Sequence, residues 1–405
     1  MRLDLDFVRA QFPAFQEPVL RDRVHAENAG GSYPCRQVVW RLHRFYRERK
    51  VQPGFDFAAS RLAQEEMDEA RWRLAPMLGI EIDELSFGPS TTANVFVMAN
   101  AVREWLRDRG GGAIVVTDQD HEANSGPWRR LESDGIEIRE WRMRDGHLDV
   151  ADLRPLLDGA DVLAFPHVSN VVGAVNDVAS ICAEARRAGA LSFVDGVSAV
   201  PHGLPNVRKL GADVYFFSAY KTFGPHQGLM VVRKSMAETL PAQGHHFNAD
   251  HPSKRFTPAG PDHAQVAACA GIADYVDALY RQHETAGRDG AGRARLTGEW
   301  MRAQEARAMT PVLEWADGRN DVRLLGPQGA NRTPTLAFEM TRPGPAYVGP
   351  LAERGVMAGG GDFYAHRPLK ALGVDPHHGV LRVSLAHYTS EADGVRIAQA
   401  LDAVA

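Results

Sequence analysis

A chain of 405 residues can bury a large core and, at ~100–200 residues per domain, predicts two or three structural units. Its net charge of −5 has neither the sign nor the concentration expected of a nucleic-acid binder. No uninterrupted apolar run approaches the ~20 residues that cross a bilayer, and the start Met1-Arg2-Leu3-Asp4-Leu5-Asp6 is acidic where a signal or transit peptide would be basic, so a cytoplasmic protein is expected.

In chain order, Phe87-Gly88-Pro89-Ser90-Thr91-Thr92-Ala93-Asn94 precedes an apolar helical run, which places small hydroxyl residues at a helix N-terminus. Short apolar runs then recur as strands at Ala113–Val116, Val162–Phe165, Leu191–Val194, Val214–Phe217 and Leu229–Val232, each suited to burial on both faces. Val178 to Ala188 reads as a crossover helix between two of them. Strands alternating with amphipathic helices predict βαβ units and a mostly parallel sheet. After about residue 255 the pattern shifts to longer helices, His263 to Ala286 and Ala291 to Met309, followed by strands at Thr335–Phe338 and Val380–Ser384. Gly344 to Pro350 and Gly359-Gly360-Gly361 read as loops.

The expected division is therefore an N-terminal segment 1–30 packing with the small domain, a large α/β domain 31–255 and a small α+β domain 256–405. The three cysteines, Cys35, Cys182 and Cys269, lack CxxC spacing and suggest neither a disulfide framework nor a zinc site. The pairs His245-His246 and His377-His378 have no further patterned ligand and read as solvated loops, so no metal is expected.

Chemistry-bearing residues gather at the strand ends. Leu191–Val194 runs into Asp195, and Val214–Phe217 runs into Ser218-Ala219-Tyr220-Lys221-Thr222-Phe223-Gly224-Pro225. The carboxyl ends of strands in an open α/β sheet are where ligands sit. Asp195 alone is an ordinary turn residue before Gly196, and Ser90 alone an ordinary helix cap. Together with a lysine ending a buried strand, they match what pyridoxal 5′-phosphate asks of a protein: an imine-forming lysine, a carboxylate against the pyridinium nitrogen, a phosphate cradle and a flat group over the ring. The cradle candidates are Ser90, Thr91 and Thr92, and the flat group is His121, which follows the strand Ala113–Val116.

The segments His167-Val168-Ser169-Asn170-Val171-Val172-Gly173, Asp195-Gly196-Val197-Ser198-Ala199 and Ser218-Ala219-Tyr220-Lys221 resemble, in order and spacing, the cysteine desulfurase and selenocysteine lyase group of the class V aminotransferase family. The resemblance extends from Glu27-Asn28-Ala29-Gly30 to Arg382-Val383-Ser384-Leu385-Ala386-His387-Tyr388. It implies a type I pyridoxal-phosphate α/β fold and a homodimer with shared active sites. It further implies that Lys221 forms the Schiff base, Asp195 pairs with the ring nitrogen, His121 stacks on the ring, Asn170 lies near the ring hydroxyl, and Ser198 stands behind them. Thr91, Thr92 and Ser218 are then phosphate ligands, Arg382 clamps the substrate carboxylate, and Asn28 and Ala29 adjoin the substrate.

Three departures accompany the resemblance. The loop Gly359 to Arg367 carries no cysteine where persulfide-forming desulfurases have one; Tyr220 precedes the lysine where they usually have histidine; and Gly260-Pro261 replaces the Gly-Thr pair that reaches a phosphate across the dimer. The expected activity is an amino-acid lyase that removes the Cα proton and then a β-substituent, without a protein-bound persulfide, with Tyr220, Tyr364 or His366 as candidate proton donors. Transamination, epimerisation or kynureninase-like cleavage remains open, as does a non-catalytic binding protein on the same fold.

Overall fold

The computed structural model describes residues 2–328 and 332–405. Its larger sheet has seven strands: β1 (Leu85–Gly88), β2 (Ala113–Thr117), β3 (Glu137–Trp141), β4 (Val162–Pro166), β5 (Leu191–Asp195), β6 (Val214–Ser218) and β7 (Gly228–Val232). They lie in the order β1-β7-β6-β5-β4-β2-β3, parallel from β6 to β3, with β7 antiparallel to both its neighbours. Because β7 reverses twice, β1 runs the same way as β6, and the carboxyl ends of β1, β2, β4, β5 and β6 meet along one edge.

Side chains alternate along these strands into two apolar layers. Val214 and Phe216 enter the layer that also holds Val95, Met98, Val102 and Leu106, whereas Tyr215 and Phe217 enter the layer holding Val178, Ile181 and Ala185. The first set lies on α2 (Thr91–Asp108) and the second on α4 (Val178–Ala188); α1 is Ala58–Leu78 and α3 is Glu122–Arg129. Spacings of three and four residues line up one face of each helix, and the sheet is covered on both sides. The predicted strands and the crossover helix are all present. Two strands of this sheet were not expected: β1, diluted by Ser86 and Gly88, and the edge strand β3, Glu-Ile-Arg-Glu-Trp, in which three of five residues are charged.

The C-terminal part differs in four places from expectation. The helix predicted over His263 to Ala286 is two, α5 (His263–Ala268) and α6 (Ala270–His283), meeting at Cys269. The next, α7 (Gly290–Ala316), continues through Pro311, which removes one ladder hydrogen bond without ending the helix. Gly359–Gly361 is no loop: it is β10, an edge strand of a four-stranded antiparallel sheet with β8 (Val322–Leu324), β9 (Thr335–Met340) and β11 (Val380–Ser384), in the order β10-β11-β9-β8. Likewise Gly344–Tyr347 is a turn of 3-10 helix leading into the helix Val348–Glu353. The glycines allow backbones to touch, since a Cβ at Gly360 would fall 2.6 Å from Gly344 C.

The N-terminal segment joins this region. Val24–His25 pairs with Val356–Met357, and Arg9 forms an ion pair with Asp393. No helix among the described residues is long and apolar enough to cross a membrane.

Candidate active site

The aligned strand ends enclose a cavity of about 200 Å3. Ser90, Thr91 and Thr92 enter it from the start of α2, where Ser90 caps the helix by accepting from the Ala93 N–H at 3.1 Å. Ser218, at the end of β6, is hydrogen-bonded to Thr91 at 2.8 Å between hydroxyl oxygens. Gly228 lets β7 pass against the Ser90–Thr91 backbone, which any side chain there would strike. Free amides, a helix dipole and four hydroxyls therefore converge on one corner, the arrangement that binds a phosphate.

Across the cavity stand Lys221 and Asp195, both buried. Lys221 follows β6 in a short 3-10 turn, held by the Thr222 N–H to Ala219 carbonyl bond at 2.7 Å. Burial pushes its amine down to about 8, and the nearby Arg382 guanidinium acts in the same direction against the opposing charges of Asp195 and Glu27. Asp195 ends β5; burial raises its carboxyl, while a hydrogen bond from the Val197 N–H at 2.8 Å and the Lys221 charge oppose the rise. That bond uses Oδ1, and Oδ2 has no partner among the described residues.

His121 lines the same cavity and caps α3: its Nδ1 accepts from the Ala123 N–H at 3.0 Å. Nδ1 is thus an acceptor, so the neutral ring carries its proton on Nε2. Burial, then Lys221 and Arg382, push its pKa down to about 3, which keeps the ring neutral. Behind it Asp120, its carboxyl raised to about 8 chiefly by burial, accepts from Thr117 and Asn124.

Asn170 and Ser198 also face the cavity. Asn170 Nδ2 donates to the Phe363 carbonyl at 3.1 Å, while its buried Oδ1 has no partner among the described residues. Tyr220 lies flat on His226, with ring centroids 4.8 Å apart and planes within 5°. Asn28 and Ala29 border a small adjoining pocket shared with Lys221 and Ser198.

Arg382, on β11, is buried beside this group: Nη1 donates to the Asn170 carbonyl at 3.1 Å, Nη2 pairs with Glu27, and the Phe363 ring lies 3.8 Å from the guanidinium carbon. Tyr364 is exposed, its ring 5.5 Å from that of His121. Phe363 and Tyr364 take left-handed backbone angles, φ 54° and 55°, a costly conformation for bulky residues. They are tied down by the Glu122 N–H donating to the Tyr364 carbonyl at 2.9 Å and by the Arg367–Glu122 ion pair. His366 is not brought to the cavity; it is exposed, with its ring 6.4 Å from His377. Glu27, His226 and Phe363 were not singled out from the sequence. A histidine five residues beyond Lys221 was the only local clue among them.

The residues fit pyridoxal 5′-phosphate. The hydroxyl-and-amide corner suits its phosphate, the free Asp195 oxygen suits its ring nitrogen, the unpartnered Asn170 Oδ1 suits its ring hydroxyl, and Lys221 suits its aldehyde.

The fold is that of type I pyridoxal-phosphate enzymes. The chain superimposes over 100% of its length on a cysteine desulfurase of Thermococcus onnurineus NA1 (98% of that chain, TM-score 0.84, 22% identity) and on the cysteine desulfurase CsdA of Escherichia coli (99% of that chain, TM-score 0.80, 23% identity). Residues 24–278 match the family model "Aminotransferase class-V". A cysteine desulfurase of Yersinia pseudotuberculosis is 31% identical over 69% of this chain and 73% of its own, and an aminotransferase-like protein of Gibberella zeae is 28% identical over 99% and 98%. The chain belongs to the class V aminotransferase family, as a cysteine desulfurase-like enzyme dependent on pyridoxal phosphate.

Proposed function

We propose that the protein is a lyase acting on small α-amino acids, breaking a bond at the substrate Cβ after removal of the Cα proton. The observation that carries this reading is Lys221: a buried amine lowered to about 8, in one cavity with Asp195, His121 and a phosphate corner, and next to the buried Arg382. Bound there, pyridoxal phosphate supplies a conjugated electron sink for the bond broken at Cα. Arg382 takes the substrate carboxylate. Lys221 Nζ, its basicity lowered by burial, accepts the Cα proton, and the C–H electron pair expels the β-substituent. Asp195 holds the ring nitrogen, and His121 covers the ring as a neutral face.

Proton donation to the leaving group falls to Tyr220 or Tyr364. Burial raises the Tyr220 phenol, which therefore keeps its proton at neutral pH, and the Tyr364 ring is 5.5 Å from that of His121. Relay through a persulfide on this chain finds no support: all three cysteines are buried, with the Cys35 and Cys182 thiols pushed up to about 12 by burial, and the loop Gly359 to Arg367 carries none.

A second reading, transamination, is favoured by the full-length match to an aminotransferase-like protein. We also assign the molecule as a homodimer, supported by a run of exposed aromatics, Trp40, Tyr46, Phe55, Phe57 and Trp72, on one stretch of the large domain.

The test is the visible absorption of the purified protein given pyridoxal phosphate, beside Lys221→Ala, with cysteine, selenocysteine, alanine and kynurenine. The expected result is a lysine-dependent band that shifts with one amino acid, accompanied by sulfide or selenide release. A 2-oxo acid without sulfide, with the cofactor aminated, would establish transamination instead; no band at all would overturn the central reading.

A further inference from the structure

Arg382 is only 3% exposed, so a carboxylate arriving from solvent cannot reach it unless something leaves. Its surroundings show what must leave. One end of the guanidinium is held by the Asn170 carbonyl, one face is covered by Phe363, and Nη2 is claimed by Glu27 Oε1. Nε, buried, has no partner among the described residues. A guanidinium offers a fork that suits a carboxylate bidentately, and Glu27 engages it through one hydrogen bond, leaving part of that fork unused.

The two members of the pair differ in freedom. The Arg382 side chain is 4% exposed and Glu27 is 28% exposed, so only Glu27 has a path to water. The fold also makes room for this carboxylate. A side chain at Gly30 would collide with it, and a Cβ at Gly359 would lie 3.0 Å from Glu27 Cγ and 2.9 Å from Phe363 Cε1. Two glycines from distant parts of the chain thus leave space where Glu27 and Phe363 close over the arginine.

We propose that Glu27 is an internal stand-in for the substrate carboxylate: it holds Arg382 neutralised and oriented in the empty site and is displaced into solvent when an amino acid binds. This rests on the reading above that Arg382 takes the α-carboxylate. Glu27 acts through Arg382 and is a positioning residue that sets affinity for carboxylate-bearing amines alone. An amine without a carboxylate leaves the Glu27–Arg382 pair intact.

The experiment compares full-length, cofactor-loaded wild type, Glu27→Gln, Glu27→Asp, Arg382→Ala and the Glu27→Gln/Arg382→Ala double variant, titrated with L-alanine and with ethylamine and followed by the shift of the cofactor absorption band. Glu27→Gln is expected to bind alanine about tenfold more tightly, the range of one charge-assisted hydrogen bond, with ethylamine unchanged. Glu27→Asp, too short to pair well, is expected to move the same way and serves if the glutamine variant does not fold. In the Arg382→Ala background the Glu27 effect is expected to vanish. Unchanged or weaker alanine binding in both Glu27 variants, with Arg382→Ala still weakening alanine, overturns the stand-in and leaves the clamp standing. Alanine binding indifferent to Arg382→Ala overturns both.

Discussion

Lys221 bears a cost that can be read against pH. Its amine is lowered from an ordinary 10.5 to about 8. Below pH 8 the folded and unfolded forms both hold the proton, and the folded form carries the full penalty of burying a charge. Between 8 and 10.5 the unfolded chain still holds a proton that the folded one has released, so stability rises with pH across that window. In the cofactor-free protein, Lys221→Met is therefore expected to raise stability at pH 7 by up to about 3 kcal/mol, with the gain fading toward pH 10.5. Urea midpoints at several pH values check this; an equal gain at both ends would mean the amine is not the cause. At this scale Asp195 and Lys221 were legible because one ends a buried strand and the other follows one by three residues, where a charged residue stands out. Glu27 was not, because what defines it is Arg382, 355 positions away, and local pattern carries no information about such a pairing.

Among the elements, β10 shows where pattern reading fails for a physical reason. Strands are recognised by alternating side chains, and Gly359-Gly360-Gly361 has none; its pairing with Val380, Leu381 and Arg382 is set by backbone contact. Gly360→Ala would bring a Cβ to 2.6 Å from Gly344 C and 2.7 Å from Pro345 N, atoms that cannot step aside. It is expected to cost about 1–3 kcal/mol and to speed amide exchange across residues 359–361 and 380–382. Unaltered exchange there would show that the edge can open without penalty. The doubly buried strands β2, β4, β5, β6 and β7 were legible for the opposite reason, each being a run of apolar residues. β3 escaped because an edge strand with one solvated side tolerates the charges of Glu137, Arg139 and Glu140.

For the molecule as a whole, the architecture followed from the alternation of strands and helices, and the meeting of five strand ends at one edge then fixed where ligand chemistry would gather. What the chain does with its exposed aromatics is a matter of assembly. Trp40 is 55% and Trp72 is 52% exposed, well beyond what scattered surface residues require. Sedimentation at micromolar concentration is expected to give twice the chain mass, and Trp40→Asp combined with Trp72→Asp is expected to shift the population toward single chains. A wild-type protein that sediments as a single chain would remove the homodimer from the reading.

His121 holds two offices with one side chain. Its Nδ1 ends α3 and its ring lines the cavity beside Lys221, so the choice of residue here is constrained twice over. An aromatic replacement would preserve a flat face and fray the helix that ties down Tyr364 through Glu122; an asparagine would preserve the cap and lose the face. Of the twenty side chains, few satisfy both demands, and drift at this position is checked by foldability as much as by chemistry.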